Sequence, residues 1–206
     1  MTEPHVERFS APLGQGYVEF QAHFWAADEA SRLERALYAE LDFEARAIEL
    51  FGRRVLQPRL IAWAGELAYR YSGQTLETKP FTPALEELRA RIALRTGVRF
   101  NHALVNCYRD GRDSMGFHSD AEPELGRDPM VASASFGATR RFLLRPKRKS
   151  QRESIEYRLG HGSLLVMGGS LQHHFRHGVP RESRPVGARL NVTFRLLLSP
   201  PVLSFG

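Results

Sequence analysis

From Phe100 onward the chain breaks into short runs: "ALVNCYR", "PMVASASFG", "RRFLLRP", "SIEYRL", "GSLLVMGG" and "RLNVTFRLLL". Each is alternating or wholly apolar, and Gly, Pro, Asp and Ser cluster between them. Evenly spaced short strands with turn signals close into a sandwich or barrel, because an open sheet of this kind would leave its edges unpaired. An all-β core over about 101–198 is therefore predicted. The segment before it reads differently. Leu33, Leu37 and Leu41 recur every fourth residue after Asp28, with Asp28 or Ser31 as candidate caps. "FTPALEELRARIALRTG" predicts a second helix, capped by Thr82, opened by Pro83, striped by Leu85, Leu88 and Ile92 and stopped at Gly97. Residues 1–27 show no clear period, and "QPRLIAWAGELAYRYSGQTLETKPF" reads as loops with short strands. With 206 residues, one catalytic-sized domain is expected, its first hundred residues covering the β core.

Composition narrows the partners. The formal charge is +6, which suits a polyanion without specifying a fold. The single cysteine, Cys107, excludes an internal disulfide and reads as core packing. The N-terminus lacks the apolar core of a secretory signal, and no apolar run approaches membrane-spanning length. A monomer in the cytoplasm, or in the nucleus of a eukaryote, with no membrane partner, is the expectation.

Two stretches carry chemistry. In "RLNVTFR", Arg189, Asn191, Thr193 and Arg195 share one strand face, opposite Leu190, Val192 and Phe194. That polar face has two arginines, an amide and a hydroxyl and no negative charge, which suits a small anion. In "VNCYR", Asn106 and Tyr108 share a face in the same way. In "GFHSDAE", His118, Asp120 and Glu122 alternate, which on a continuing strand would place all three on one side. His118 and Asp120 lack a third ligand, and "LQHHFRHGVP" offers His173, His174 and His177. Two histidines and one carboxylate leave metal positions open, as in non-haem Fe(II) oxygenases. A 2-keto acid can fill those positions, and its remote carboxylate then needs an arginine.

These motifs, with "QPRLIAW", "YRYSG", "FTPAL", "ASFGATRRFLLR", "HGSLLVM" and "HHFRHGVP", resemble the AlkB-type Fe(II)/2-oxoglutarate-dependent dioxygenases over roughly residues 56–197. The resemblance implies a double-stranded β-helix, jelly-roll-like, with N-terminal helices and a nucleotide-recognition lid, an α+β chain with a mainly β core. It implies Fe(II), 2-oxoglutarate and O2, and oxidative dealkylation of N-alkylated bases in DNA or RNA. It makes His118, Asp120 and His177 the metal ligands and leaves His173 and His174 as structural or near-site residues. It places Asn106, Tyr108, Arg189, Asn191, Thr193 and Arg195 around 2-oxoglutarate. Glu122 would face the target base, and Trp63, Tyr69 and Tyr71 fall in the lid. The basic run holding Arg140, Arg141, Arg145, Lys147, Arg148 and Lys149 is the candidate contact for a nucleic-acid backbone. Two other readings stand beside this one. A non-catalytic nucleic-acid-binding module with the same fold is opposed by the intact ligand set. A dioxygenase acting on a small molecule or protein is opposed by the basic run and Glu122.

Overall fold

The computed structural model describes residues 5–9, 16–50, 53–71, 74–148 and 154–198. In chain order the elements are β1 (His5–Phe9), β2 (Gly16–Gln21), α1 (Ala27–Glu40), β3 (Ala47–Leu50), β4 (Arg53–Leu56), β5 (Leu60–Gly65), β6 (Tyr69–Tyr71), β7 (Gln74–Leu76) and α2 (Pro83–Thr96). The second half adds β8 (His102–Tyr108), β9 (Met115–His118), β10 (Val131–Gly137), β11 (Arg140–Pro146), β12 (Ile155–Leu159), β13 (Ser163–Gly168), α3 (Leu171–His174), β14 (Phe175–Val179) and β15 (Arg189–Arg195). Among the described residues no helix is long and apolar enough to cross a membrane.

Two antiparallel sheets face each other. The larger runs β1-β2-β13-β10-β15-β8-β5 and the smaller β12-β11-β14-β9. This is the expected mainly β, jelly-roll-like core. The larger sheet also takes in β1, β2 and β5, so the core draws on the first hundred residues as well. The strands β1 and β2 lie where no period was legible.

Period-two alternation sorts the larger sheet into two faces. Ala103, Val105, Cys107, Ala132, Ala134, Phe136, Leu190, Val192 and Phe194 point outward and bury themselves under α1 and α2 with Leu33, Leu37, Leu85, Leu88 and Ile92. The opposite face looks into the space between the sheets. Near one end that space is filled by Tyr108, Val131, Leu165 and Met167 against Phe142, Leu144, Phe175 and Val179 of the smaller sheet. At the other end Ile61, Trp63, Leu104 and Leu197 pack with Tyr69 and Leu76 of the β6–β7 ribbon. The polar pocket lies between.

The second helix forms as expected: Thr82 accepts from the Leu85 amide, Pro83 opens the first turn, and Gly97 closes it at φ 73°. The first helix departs from expectation. It starts one residue after Ala26, which supplies no side-chain cap. Asp28 lies inside the first turn, where its charge complements the helix dipole. Ser31 is also inside the helix, and its hydroxyl bonds back to the Ala27 carbonyl at 2.7 Å. Leu41 is the C-cap, and it still packs against the core that buries Leu33 and Leu37.

Gly137 joins β10 to β11 at φ 83°, and a Cβ there would meet the Ala188 carbonyl oxygen at 2.5 Å. Left-handed backbone alone costs an L-residue about 1–2 kcal/mol. Gly137→Ala should therefore destabilise the fold by more than that. Urea unfolding should show a lower midpoint at an unchanged slope.

Candidate active site

The smaller sheet brings His118 and His177 together because β9 and β14 pair with those two residues opposite each other. Their rings lie 4.3 Å apart at the centroids. Asp120 joins them, but not by strand alternation. β9 stops at His118, and Asp120 and Glu122 follow in irregular backbone, Glu122 preceding the short 3-10 turn Pro123–Leu125. Two contacts hold Asp120. Its amide donates to Gln172 Oε1 at 3.0 Å. Its Oδ1 accepts from Arg195 Nη2 at 2.8 Å and from Nε at 3.3 Å. Both side chains of this ion pair are buried, at 1% and 3% exposure. Burial alone would raise the Asp120 carboxyl, but Arg195 and the two imidazoles outweigh it and hold the group below the usual carboxylate range.

The donor set fits a metal. His118 Nε2 lies 4.0 Å from Asp120 Oδ1, and His177 Nε2 lies 3.7 Å from Asp120 Oδ2. All three candidate donors fall within 4.8 Å of one another. His118 Nδ1 is 2.9 Å from the Gly116 carbonyl oxygen. A carbonyl only accepts, so Nδ1 carries the proton and the Nε2 lone pair faces the cluster. The His177 ring stacks on Phe142, and burial together with His118 pushes its pKa down to about 3, leaving a neutral ligand. A facial two-histidine, one-carboxylate set with open positions suits Fe(II). His173 pairs instead with Asp128 at 2.9 Å, and His174 is not part of the set.

The adjoining wall belongs to β8, β15 and β10. The pocket is lined by Asn106, Tyr108, Ser133, Arg189, Asn191, Thr193 and Arg195 together with all three metal-type residues. Thr193 donates to Asn191 Oδ1, and Asn191 donates to Ser133 Oγ and the Ala134 carbonyl. Arg59 Nε donates to Asn106 Oδ1 at 2.7 Å. Arg189 is 1% exposed and donates from Nη2 to Ser135 Oγ, while its Nε and Nη1 are buried without a hydrogen-bond partner. Burial pulls this guanidinium down to about 10, opposed by the Tyr108 hydroxyl, and it remains cationic. A buried cation with two idle donors on a pocket wall calls for an anion. The remote carboxylate of a bound 2-oxoglutarate would suit it. Arg195 lines the same pocket and pairs with Asp120, so it also fixes a metal ligand.

Other expectations need correction. Arg140 is 1% exposed and donates to the carbonyls of Asp110, Asp113 and Pro180. It is a structural brace and cannot meet a nucleic-acid backbone. Arg141 is paired with Glu182 at 3.1 Å. Lys147 turns back to the Gln172 carbonyl at 2.7 Å. Arg145 and Arg148 are exposed, and Lys149 lies outside the described residues. Trp63 is enclosed, with Nε1 donating to the Glu77 carbonyl and Lys79 Nζ 3.7 Å above the ring, so it packs rather than faces a substrate. Tyr69 is fully buried beside Arg195, with Glu122 nearby. Tyr71 lies in β6, and its side chain is outside the described residues. Glu122 is half-buried and its Oε2 has no hydrogen-bond partner.

Sequence reasoning missed Arg59, Ser133, Ser135, Gln172 and His102. The alternating serines of "VASAS" were a readable signal, since Ser133 and Ser135 pair with Thr193 and Asn191. Arg59 and Gln172 act through contacts that only the folded register creates. His102 sits across from both Arg195 and Gly65, fully buried, with neither ring nitrogen hydrogen-bonded. Burial and Arg195 push its pKa down to about 3.

Replacing His118, Asp120 or His177 with Ala should abolish metal binding in each case, but stability should separate them. Asp120→Ala strands a buried Arg195 and should cost about 3–5 kcal/mol. His118→Ala, at a half-buried position, should cost far less. Metal titration and urea unfolding of the metal-free proteins check both. His102 predicts a pH effect. Its folded pKa is depressed, so below about 6.5 the unfolded chain takes up a proton that the folded one refuses. Stability is then lost as pH falls from about 6.5 toward 3. His102→Phe removes two unpaired nitrogens and should flatten part of that slope without destabilising the fold at pH 7.

Comparison with known proteins agrees with this geometry. Residues 18–195 match the 2OG-Fe(II) oxygenase superfamily. The chain is 45% identical over 153 residues to human alpha-ketoglutarate-dependent dioxygenase alkB homolog 3, covering 70% of this chain and 54% of that protein. It is 40% identical over 181 residues to the mouse DNA oxidative demethylase ALKBH2, covering 82% of this chain and 76% of that one. The chain thus spans about half the length of the first of these relatives. Among solved structures, OsALKBH1 superposes with a TM-score of 0.56 at 20% identity, over 86% of this chain and 97% of that one, a likeness of fold. On the match across 18–195 and these identities, the chain belongs to the 2OG-Fe(II) oxygenase superfamily.

Proposed function

We propose that this chain is an Fe(II)- and 2-oxoglutarate-dependent dioxygenase that oxidatively removes alkyl groups from base nitrogens in DNA. One observation carries the chemistry. The His118–Asp120–His177 set and the idle donors of Arg189 open on the same pocket. Iron with 2-oxoglutarate and dioxygen would supply the oxidation of the alkyl carbon, with succinate and carbon dioxide as co-products. The chain's own residues bind and orient. Arg189 anchors the distal carboxylate, Asn106 and Tyr108 fill the wall beside it, and Arg195 keeps Asp120 turned toward the metal. Phe142, Met167 and Leu104 keep the pocket floor apolar and exclude water. A hydroxylated carbon on a base nitrogen then leaves as an aldehyde and restores the base.

Nucleic acid as substrate is supported by the net positive charge and by the likeness to the mouse DNA oxidative demethylase. A base inside a duplex cannot reach an interior pocket, so it enters flipped or from single-stranded DNA. Glu122 is offered as the acidic group that meets it. Its unpartnered Oε2 lies two residues beyond the metal-ligand position and beside Tyr69. A carboxylate there favours a base made cationic by alkylation.

The experiment is turnover of alkylated DNA and RNA oligonucleotides with succinate and aldehyde both counted. Stoichiometric release on an alkylated oligonucleotide is expected. Brisk 2-oxoglutarate consumption that no oligonucleotide stimulates would shift the assignment to a small-molecule or protein substrate. Glu122→Gln should leave 2-oxoglutarate binding intact. It should lower kcat/KM for 1-methyladenine or 3-methylcytosine more than for 3-methylthymine. An unchanged ratio removes Glu122 from the base pocket.

A further inference from the structure

The two strands that carry the metal-binding histidines also have an outer face, and the proposed chemistry leaves it unused. His177 and Leu144 point inward, so their neighbours Arg176 on β14 and Arg145 on β11 point outward. Both are exposed. They are directly opposite each other in the ladder. Like charges so placed destabilise a strand pair. Arg141 and Arg158 are opposed in the same way on this face, but each has an acid beside it: Arg141 pairs with Glu182, and Arg158 lies 3.7 Å from Glu156. Among the described residues, no ion pair compensates Arg145 or Arg176. Arg145 is instead laid flat, its guanidinium 3.9 Å over the ring of Phe117, the residue next to His118 on β9. Lys147 adds a third positive charge, and its ammonium is pulled down by burial and then by Arg176.

We propose that Arg145 and Arg176 together seat one phosphodiester group of the substrate strand, a nucleic-acid backbone passing over the edge of β9. This rests on the dealkylase reading above and adds where the flanking strand runs. Opposed residues in an antiparallel pair are about 4.5–5.5 Å apart at Cα, so two guanidiniums can converge on one phosphate. Their planar forks suit its oxygens, and stacking on Phe117 removes rotamer freedom from one of them before binding. β9 is the last strand of its sheet. A polymer crossing that edge therefore joins the outer face to the pocket side within the thickness of one sheet. The site positions the strand and reads no sequence.

The test uses Arg145→Gln, Arg176→Gln, the double variant and Arg176→Lys in the full chain. Binding of undamaged single-stranded oligonucleotides is followed by fluorescence anisotropy across salt concentrations. Each Gln variant should weaken binding uniformly across sequences and flatten the log–log salt slope by about 0.7, the loss of one phosphate contact. The double variant should flatten it hardly further, because both residues share one phosphate. Arg176→Lys should restore the slope. KM for an alkylated oligonucleotide should rise at constant kcat, with nucleic-acid-free 2-oxoglutarate turnover unchanged. Wild-type affinity and slope in the double variant, with dealkylation intact, would overturn this seat and leave the dealkylase reading standing. An equal defect on a lone alkylated nucleoside would also overturn it, since that substrate has no phosphate for the seat to hold. A wild-type chain that neither binds nor dealkylates any oligonucleotide would overturn both readings.

Discussion

The buried contact between Asp120 and Arg195 is what the pocket is built around. Neither charge is tolerable alone at its depth, so each fixes the other. Asp120 comes after β9 has ended, where strand geometry no longer dictates direction. Its place is set by the guanidinium and by the Gln172 side chain that receives its amide. Arg195 in turn sits at the end of β15, a strand paired on both sides by β10 and β8. Rigidity flows from the centre of the large sheet to a residue in loop backbone. The same arginine lies 5.9 Å over the Tyr69 ring and opposite His102 in the ladder. The β6–β7 ribbon is therefore packed against the support of a metal ligand.

The large sheet has one apolar and one polar face, as many antiparallel sheets do, but here the polar face is turned inward under a second sheet. Burying it would be ruinous without internal partners. Most of its groups have them, through the chain from Thr193 to Asn191 to Ser133 and through Arg59 to Asn106. Some are left over. His102 on β8 has two unpaired ring nitrogens away from the cavity, whereas Arg189 Nε and Nη1 and Asp120 Oδ2 are idle on residues that line it. The idle atoms of Arg189 and Asp120 thus outline the ligands that complete the site.

Much of this was legible in the sequence. Alternation in "RLNVTFR" placed four polar side chains on one face, and all four line the pocket. Thr82, Pro83 and Gly97 bounded α2 correctly because capping is local chemistry. Alternation misled at "GFHSDAE", where the strand ends at His118, and the density of basic residues misled at "RRFLLR", where Arg140 faces inward to three carbonyls. In both places tertiary contacts decide the direction, and no short window contains them. The first helix starts at Ala27, and its N-cap Ala26 has no polar side chain, so its boundary carried no signal. Trp63 looked like a lid aromatic, but its environment depends on Lys79 and Glu77 far along the chain.

The positions of the central strands separate two kinds of change. Asn106, Ser133, Arg189, Asn191 and Thr193 occupy β8, β10 and β15, each laddered on both sides. A replacement there disturbs neighbours in register and the oxidising apparatus at once. The Glu122 turn and the outward side chains beside β9 lie on margins that few other elements rest upon. New substrates can therefore be explored by altering those margins while the reaction itself is inherited intact. In a laboratory selection for altered base preference, productive changes should accumulate at the rim and leave the interior row alone.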